Sequence, residues 1–245
     1  MVIAAGRVTV GGAPADKAAR LVAPDEPIVV LGPRPRFVGR GGEKLDAALD
    51  RFGVTVTGRR VYDIGASTGG FTDCALQRGA ASVVAVDVGY GQLHERLRTD
   101  PRVEVHERTN ARDLRPGALG EIADVLVADL SFISLRTVLP VLVPLVAAGG
   151  EMVLLVKPQF EAGRREASRG KGVISDPAIW RRVLEEVAAA LEDLGAAIMG
   201  VMASPLSGAD GNVEFLVHAR PAGAPGPTSR AELLDAALVE ATVRP

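Results

Sequence analysis

Residues 61–73 read VYDIGASTGGFTD: an apolar run that ends in an acid, passes through a glycine-rich turn and enters a helix. Val61, Tyr62 and Ile64 suit a buried strand that closes around Asp63, and the turn Gly65, Ala66, Ser67, Thr68, Gly69, Gly70 hands the chain to a helix opening at Phe71. Glycines let a backbone pass close to a ligand, and a helix start offers unpaired N–H groups. The spacing is not the G-x-G-x-x-G that cradles a pyrophosphate, which favours a nucleoside ligand without phosphate. A tight structural turn would use the same residues, so the neighbouring strand ends have to decide.

From Arg59 onward short apolar runs alternate with helical patterns. Strands are predicted at 60–64, 83–87, 103–106, 124–128, 151–156, 197–203 and 213–219, and helices at 43–52, 71–79, 91–98, 134–147 and 176–194. That order predicts an α/β fold with a doubly wound parallel sheet and a ligand at the carboxyl ends of its strands. The second strand, VVAVDVGYGQL (83–93), ends in Asp87, where an acid holds a ribose diol. After the third, ERTNARDL (107–114) brings Asn110 and Asp113 to where an adenine edge would lie, although both types are also common loop formers. With the turn after Asp63, these stations describe an S-adenosyl-L-methionine site of the methyltransferase type.

Three further strand ends carry chemistry. VLVADLSFISL (125–135) ends its strand in Asp129, and EMVLLVKPQFE (151–161) ends in Lys157, with Pro158 stopping the strand. GNVEFLVHAR (211–220) is expected to run antiparallel, which brings Glu214 to the same rim. Each residue alone would more often be surface than site; their convergence is harder to attribute to chance.

Composition is that of a globular protein: 245 residues, 47% hydrophobic, net charge −2. The single Cys74 excludes an internal disulfide, and with no leader visible a cytoplasmic setting is expected. The apolar stretch VLPVLVPLVAAGG is broken by Pro140 and Pro144, so no membrane span is expected. His94, His106 and His218 lack metal-ligand spacing, and no metal is expected. The charge is uneven. Residues 1–44 carry seven basic side chains, among them Arg7, Lys17, Arg20, Arg40 and Lys44, against four acids; the segment 157–171 adds Lys157, Arg164, Arg165, Arg169 and Lys171 against Glu161 and Glu166. Two basic segments on a mildly acidic body suit a polyanion such as RNA, or a solvated surface.

IAAGRVTVGG (3–12) followed by a turn and IVV resembles the second half of a small RNA-binding module shared by a ribosomal small-subunit protein and pseudouridine synthases. A partial module is therefore expected at 1–36, a linker at 37–42, the catalytic domain at 43–220, and a linker with a short helix at 221–245. The motifs RGGEKL, DIGASTGGFTD, VDVGYGQL, ADLSFISL, LVKPQFE, KGVISD and GNVEFL stand in the order and spacing of the TlyA family, hemolysin-like rRNA 2′-O-methyltransferases related to the FtsJ group. The resemblance covers about residues 1–220. It implies a Rossmann-like seven-stranded sheet with an antiparallel last strand, S-adenosyl-L-methionine as cofactor, and ribosomal subunits as partner, with cytidines as targets. It also implies a catalytic Lys-Asp-Lys-Glu tetrad at Lys44, Asp129, Lys157 and Glu214. In it Lys157 is either the proton acceptor or a charge that stabilises the developing alkoxide. A membrane-active hemolysin, a non-catalytic RNA-binding protein and a nicotinamide dehydrogenase are the rival expectations.

Overall fold

The computed structural model describes residues 3, 5–33, 35–163, 166, 170, 172–224, 226 and 228–243. The chain divides after Arg36 into two compact units. The first is a small antiparallel sheet in the order β2-β1-β3, from β1 (Val8–Val10), β2 (Ala13–Pro14) and β3 (Ile28–Val30). Val8, Val10 and Ala15 form its core, with Ile3 and Val22 packed against them. Its basic side chains have local tasks: Arg7 Nε donates to the Leu31 carbonyl at 2.9 Å, and Arg20 pairs with Glu26 at 2.9 Å, while Lys17 is exposed.

The second unit, from Phe37, begins with α1 (Gly41–Phe52), β4 (Arg60–Ile64), α2 (Gly70–Gln77), β5 (Ser82–Val86), α3 (Glu95–Arg98) and β6 (Val103–His106). It continues through β7 (Ala123–Ala128), α4 (Leu135–Leu142), β8 (Val146–Val156), α5 (Pro158–Glu161), α6 (Pro177–Asp193), β9 (Ala196–Ala203), β10 (Phe215–Pro221) and α7 (Arg230–Val243). Seven strands form one sheet in the order β6-β5-β4-β7-β8-β10-β9, in which β10 runs antiparallel to both β8 and β9. Alternate strand residues serve opposite layers, as the period of two requires. Val61, Val83 and Val125 face Leu45, Leu49 and Phe71. Tyr62, Val84 and Leu126 face Leu139, Leu142 and Trp180.

Topology places the cleft. The chain builds β4, β5 and β6 in one direction, then returns to add β7 on the other side of β4. Connections therefore leave β4 and β7 toward opposite sides, opening a crevice at their carboxyl ends. Across it, the start of α2 lies against the start of α1. A Cβ at Gly70 would sit 2.9 Å from the Gly42 nitrogen and 3.2 Å from the Gly39 carbonyl oxygen, so only glycine allows the approach.

Four expectations are corrected. Residues 37–42 are not a linker: Phe37 is buried in the α1–α2 layer, the Val38 N–H donates to Asp73 Oδ2 at 2.8 Å, and Gly41 and Gly42 are the first turn of α1. The helix expected over 91–98 is only Glu95–Arg98. The helix expected over 134–147 ends at Leu142, and a 3-10 turn leads directly into β8 at Val146. Pro144 lacks the N–H a longer helix needs, and β-branched Val146 pairs with Ala123 instead. Pro221, expected in the last linker, closes β10, and the short helix expected beyond it is present as α7, which buries Leu234, Ala237, Leu238 and Ala241 in the main core. Its Glu240 accepts from the Ala203 N–H of the edge strand β9 at 3.1 Å, covering an edge otherwise open to pairing.

Gly70→Ala has backbone rather than flexible side chain to displace. It should lower unfolding free energy by about 1–3 kcal/mol in urea denaturation, whereas Gly91→Ala, in open space, carries only the strain of its own positive φ.

Candidate active site

Two cavities open at the crevice. The larger, about 520 Å³, is walled by Gly65 and Ser67 after β4, Asp87 and Val88 after β5, Asn110 and Arg112 after β6, and Asp129 to Ile133 after β7. The smaller, about 240 Å³, is walled by Arg40 just before α1, Gly41 and Lys44 of α1, Thr68, Gly70 and Phe71 around the start of α2, and Lys157 after β8. Gly65, Ser67, Asp129 and Ser131 belong to both, so the cavities share one wall.

That wall forms because β4 and β7 are parallel neighbours. The Asp129 N–H donates to the Ile64 carbonyl at 3.0 Å, continuing the ladder past the strands. Gly65 has φ +89, and a Cβ there would sit 2.5 Å from the Asp129 carbonyl oxygen. In the larger cavity Asp87 is oriented by two backbone donors, Ser67 N–H to Oδ2 and Gly89 N–H to Oδ1, each at 2.7 Å. A carboxylate oxygen has lone pairs beyond these, so both can still receive a diol. Asn110 caps the following 3-10 turn by accepting from the Arg112 N–H at 3.1 Å.

The residues present fit a nucleoside bearing a positive centre. Asp87 and Asp129 face the larger cavity against one basic side chain, Arg112, and apolar Ile64, Val86 and Leu130 offer a flat lining. S-adenosyl-L-methionine has this chemistry; a pyrophosphate would find carboxylates where it needs donors. The absence of a side chain at Gly65 lets the Asp129 backbone close against the turn, which holds the two loops of the wall together.

The smaller cavity holds two buried lysines, each with one carboxylate. Lys44, 6% exposed, pairs with Glu214, 3% exposed. Lys157, 9% exposed, lies 2.6 Å from Asp129 Oδ1. That second contact is a charge pairing without hydrogen-bond alignment, while Lys157 Nζ donates to Ser131 Oγ at 2.9 Å. The loop after β7 is tied to α5 by Glu161, buried, which accepts from Ser134 Oγ at 2.5 Å and from the Leu135 N–H at 2.6 Å. Phe132, which lines the larger cavity, is 91% exposed with φ +63 and lies 5.2 Å from the Phe160 ring. A bulky residue in the left-handed region is held there against its own preference.

The structure brings the four tetrad positions together, with Arg40 beside them, and sorts the expected cofactor residues. Gly65, Ser67, Asp87, Asn110 and Asp129 line the larger cavity; Ala66, Thr68, Gly70 and Phe71 line the smaller. Asp63 and Gly69 line neither. Asp63 points beneath the turn, fully buried, and accepts from Thr72 Oγ1 at 2.6 Å, while a Cβ on Gly69 would meet Leu97 and Leu93. Asp113 is likewise outside the lining. Arg164, Arg165, Arg169 and Lys171 fall outside the described residues. Ser131 and Phe132 were not singled out in the sequence; only their adjacency to Asp129 in ADLSFISL could have pointed to them.

Burial pushes the Asp63 carboxyl up to about 7, with the nearby Asp129 and Asp87 charges adding to the effect and the Thr72 hydrogen bond opposing it. The folded chain therefore keeps a proton that the unfolded chain releases near pH 4. Stability falls as pH rises from about 4 to about 7 by up to about 1.4 kcal/mol per unit from this group, then levels. Asp63→Asn removes that slope: its stability relative to the unsubstituted chain should rise through the window in denaturation at stepped pH, and a constant difference would contradict the assignment.

The model of the FtsJ-like methyltransferase family matches residues 37–221. The chain is 51% identical over 219 residues to the 16S/23S rRNA (cytidine-2′-O)-methyltransferase TlyA of Mycobacterium tuberculosis, covering 89% of this chain and 81% of that protein. It is 39% identical over 218 residues to Hemolysin A of Brachyspira hyodysenteriae, covering 89% of this chain and 90% of that one. A solved structure of a hemolysin-named protein from Streptococcus thermophilus superposes with a TM-score of 0.85 at 39% identity, covering 98% of this chain and 87% of that one. Among the described residues no helix is long and apolar enough to cross a membrane.

Proposed function

The chain belongs to the FtsJ-like methyltransferase family, and we propose that it methylates the 2′-hydroxyl of cytidines in ribosomal RNA, acting on ribosomal subunits in the cytoplasm. The observation that carries this reading is the pair of buried Lys–carboxylate contacts at the smaller cavity, one of which, Lys157–Asp129, reaches the wall shared with the larger. The relatives' names supply the nucleoside and the RNA class.

S-adenosyl-L-methionine, when bound in the larger cavity, supplies an electrophilic methyl group on a sulfonium centre. Asp87 would hold the ribose of that cofactor, and Gly65 and Ser67 would border it. A ribose hydroxyl is a weak acid, so the smaller cavity must remove its proton as the new C–O bond forms. Lys157, whose ammonium pairs with Asp129 at rest, accepts that proton after first giving one to solvent, and Asp129 holds the ammonium that re-forms. The paired Lys44 and Glu214 lie beside it and orient the target sugar. Positioning two reactants at a shared wall supplies much of the acceleration.

The RNA side is open and aromatic. Phe132, exposed on the rim of the larger cavity, offers a face for a nucleobase, since base–aromatic stacking contributes about 1–3 kcal/mol, and Arg40 stands beside Lys44 in the smaller cavity for a phosphate. The basic side chains Arg7, Lys17 and Arg20, and separately Arg164, Arg165, Arg169 and Lys171 of the second basic segment, are the further candidates for phosphate contact. Binding to subunits should weaken steeply with salt, because each phosphate contact releases counterions; a flat salt profile in filter binding would refute an RNA partner.

Single-turnover methylation of ribosomal subunits at saturating cofactor tests the chemistry. Lys157→Met should lose the rate by at least about a hundred-fold while cofactor affinity by calorimetry stays within a few-fold. Lys44→Met should also lower stability by about 3–5 kcal/mol, because Glu214 is left buried and unpaired. Adding Glu214→Leu should restore the stability without restoring turnover. A double variant that regained the rate would remove both residues from the reaction.

A further inference from the structure

Lysine amines swing freely about their last bond, and a base that removes a proton in step with methyl transfer has to present its lone pair in one direction. Asp129 gives Lys157 a compensating charge at 2.6 Å, but the contact lacks hydrogen-bond alignment and does not fix the rotation of the amine. The one hydrogen bond that Lys157 Nζ makes among the described residues goes to Ser131 Oγ, at 2.9 Å. Ser131 also belongs to the wall common to both cavities, so this hydroxyl stands where donor and acceptor must meet.

We propose that Ser131 is a positioning residue for methyl transfer: its hydroxyl takes one N–H of Lys157 and thereby turns the lone pair of the amine toward the ribose hydroxyl. The proposal rests on the methyltransferase reading above and adds a residue to the tetrad. Before the step, the Lys157 ammonium that pairs with Asp129 gives one proton to solvent; in the step, the O–H bond of the ribose breaks and its proton joins the neutral Lys157 Nζ. The ribose oxygen forms a bond to the methyl carbon, and the electron pair of the broken S–C bond stays on sulfur. Ser131 gains and loses nothing. It accepts the same N–H before and after, while Asp129 balances the new charge.

The setting of Ser131 is built to hold it. The next residue, Phe132, keeps a left-handed φ of +63, a conformation that persists only where the surroundings impose it. Three residues on, the same loop is pinned by Glu161 through Ser134 and the Leu135 N–H, and Glu161 closes the short helix that starts directly after Lys157. One buried carboxylate thus sets the distance between the loop bearing Ser131 and the segment bearing Lys157. Ser131 itself is exposed on its cavity side, so an added methyl group has room.

The test compares Ser131→Ala and Ser131→Thr with the unsubstituted chain in single-turnover methylation of ribosomal subunits, at saturating cofactor and over a series of subunit concentrations. Ser131→Ala should lower the maximal rate about 10- to 100-fold, the range a misdirected reacting group produces, with the subunit concentration at half-maximal rate and the cofactor affinity unchanged within a few-fold. Ser131→Thr, which keeps the hydroxyl, should recover to within a few-fold of the original rate. A role in packing or in RNA binding would instead move stability or the half-maximal concentration. Retention of the full rate by Ser131→Ala overturns the proposal, and so does a threonine variant as slow as alanine. If the unsubstituted chain itself transfers no methyl group to subunits, the reading of function falls and the proposal falls with it.

Discussion

Burying an ammonium group costs several kcal/mol unless a carboxylate meets it, and this chain meets that condition twice within one crevice. Lys44 comes from the first turns of α1, Glu214 from the segment entering β10, Asp129 from the end of β7 and Lys157 from the end of β8. None of these elements could shift by a residue without leaving a charge unpaired. The antiparallel insertion of β10 between β8 and β9 serves the same condition, because it alone turns the start of that strand toward the carboxyl ends of its neighbours. The close approach of Gly70 to the α1 backbone then brings Lys44 over the crevice.

Around these pairs the two cavities adjoin at a shared wall built by two neighbouring loops. Gly65 and Ser67 face it from β4, Asp129 and Ser131 from β7. A reaction in which one small group crosses from a nucleoside cofactor to a nucleoside target needs this arrangement: two adjoining sites, with charged groups at their junction. Asp63 shows what the junction imposes on the core. It lies under the turn, fully buried, and Thr72 satisfies only one of its oxygens.

Much of this was legible in the sequence, and the reasons are particular. VVAVDV and VLVAD read as buried strands because both of their faces are covered, which makes the apolar run continuous, and their terminal acids mark the ligand edge. Asp63 read the same way but points beneath its turn, since strand alternation and not position at the strand end decides which face an acid serves. The run from Ser134 to Val156 was misread where helix and strand meet without a loop, because VLPVLVPLV is apolar in either period. Phe37 looked like linker beside two glycines, yet one buried ring suffices to tie that segment down. The exposure of Phe132 and the bond from Lys157 to Ser131 arise from backbone geometry and distance, to which a pattern of apolar residues is blind.

The most direct test of the account is the position of the transferred methyl group. Ribosomal subunits lacking the modification would be incubated with the purified chain and labelled S-adenosyl-L-methionine, their RNA digested to nucleosides and oligonucleotides, and the product mapped by mass spectrometry. The account predicts one methyl group on the ribose 2′-oxygen of cytidine at a defined site in the RNA. A methyl group on a base, on ribosomal protein or on no component of the subunit would contradict it.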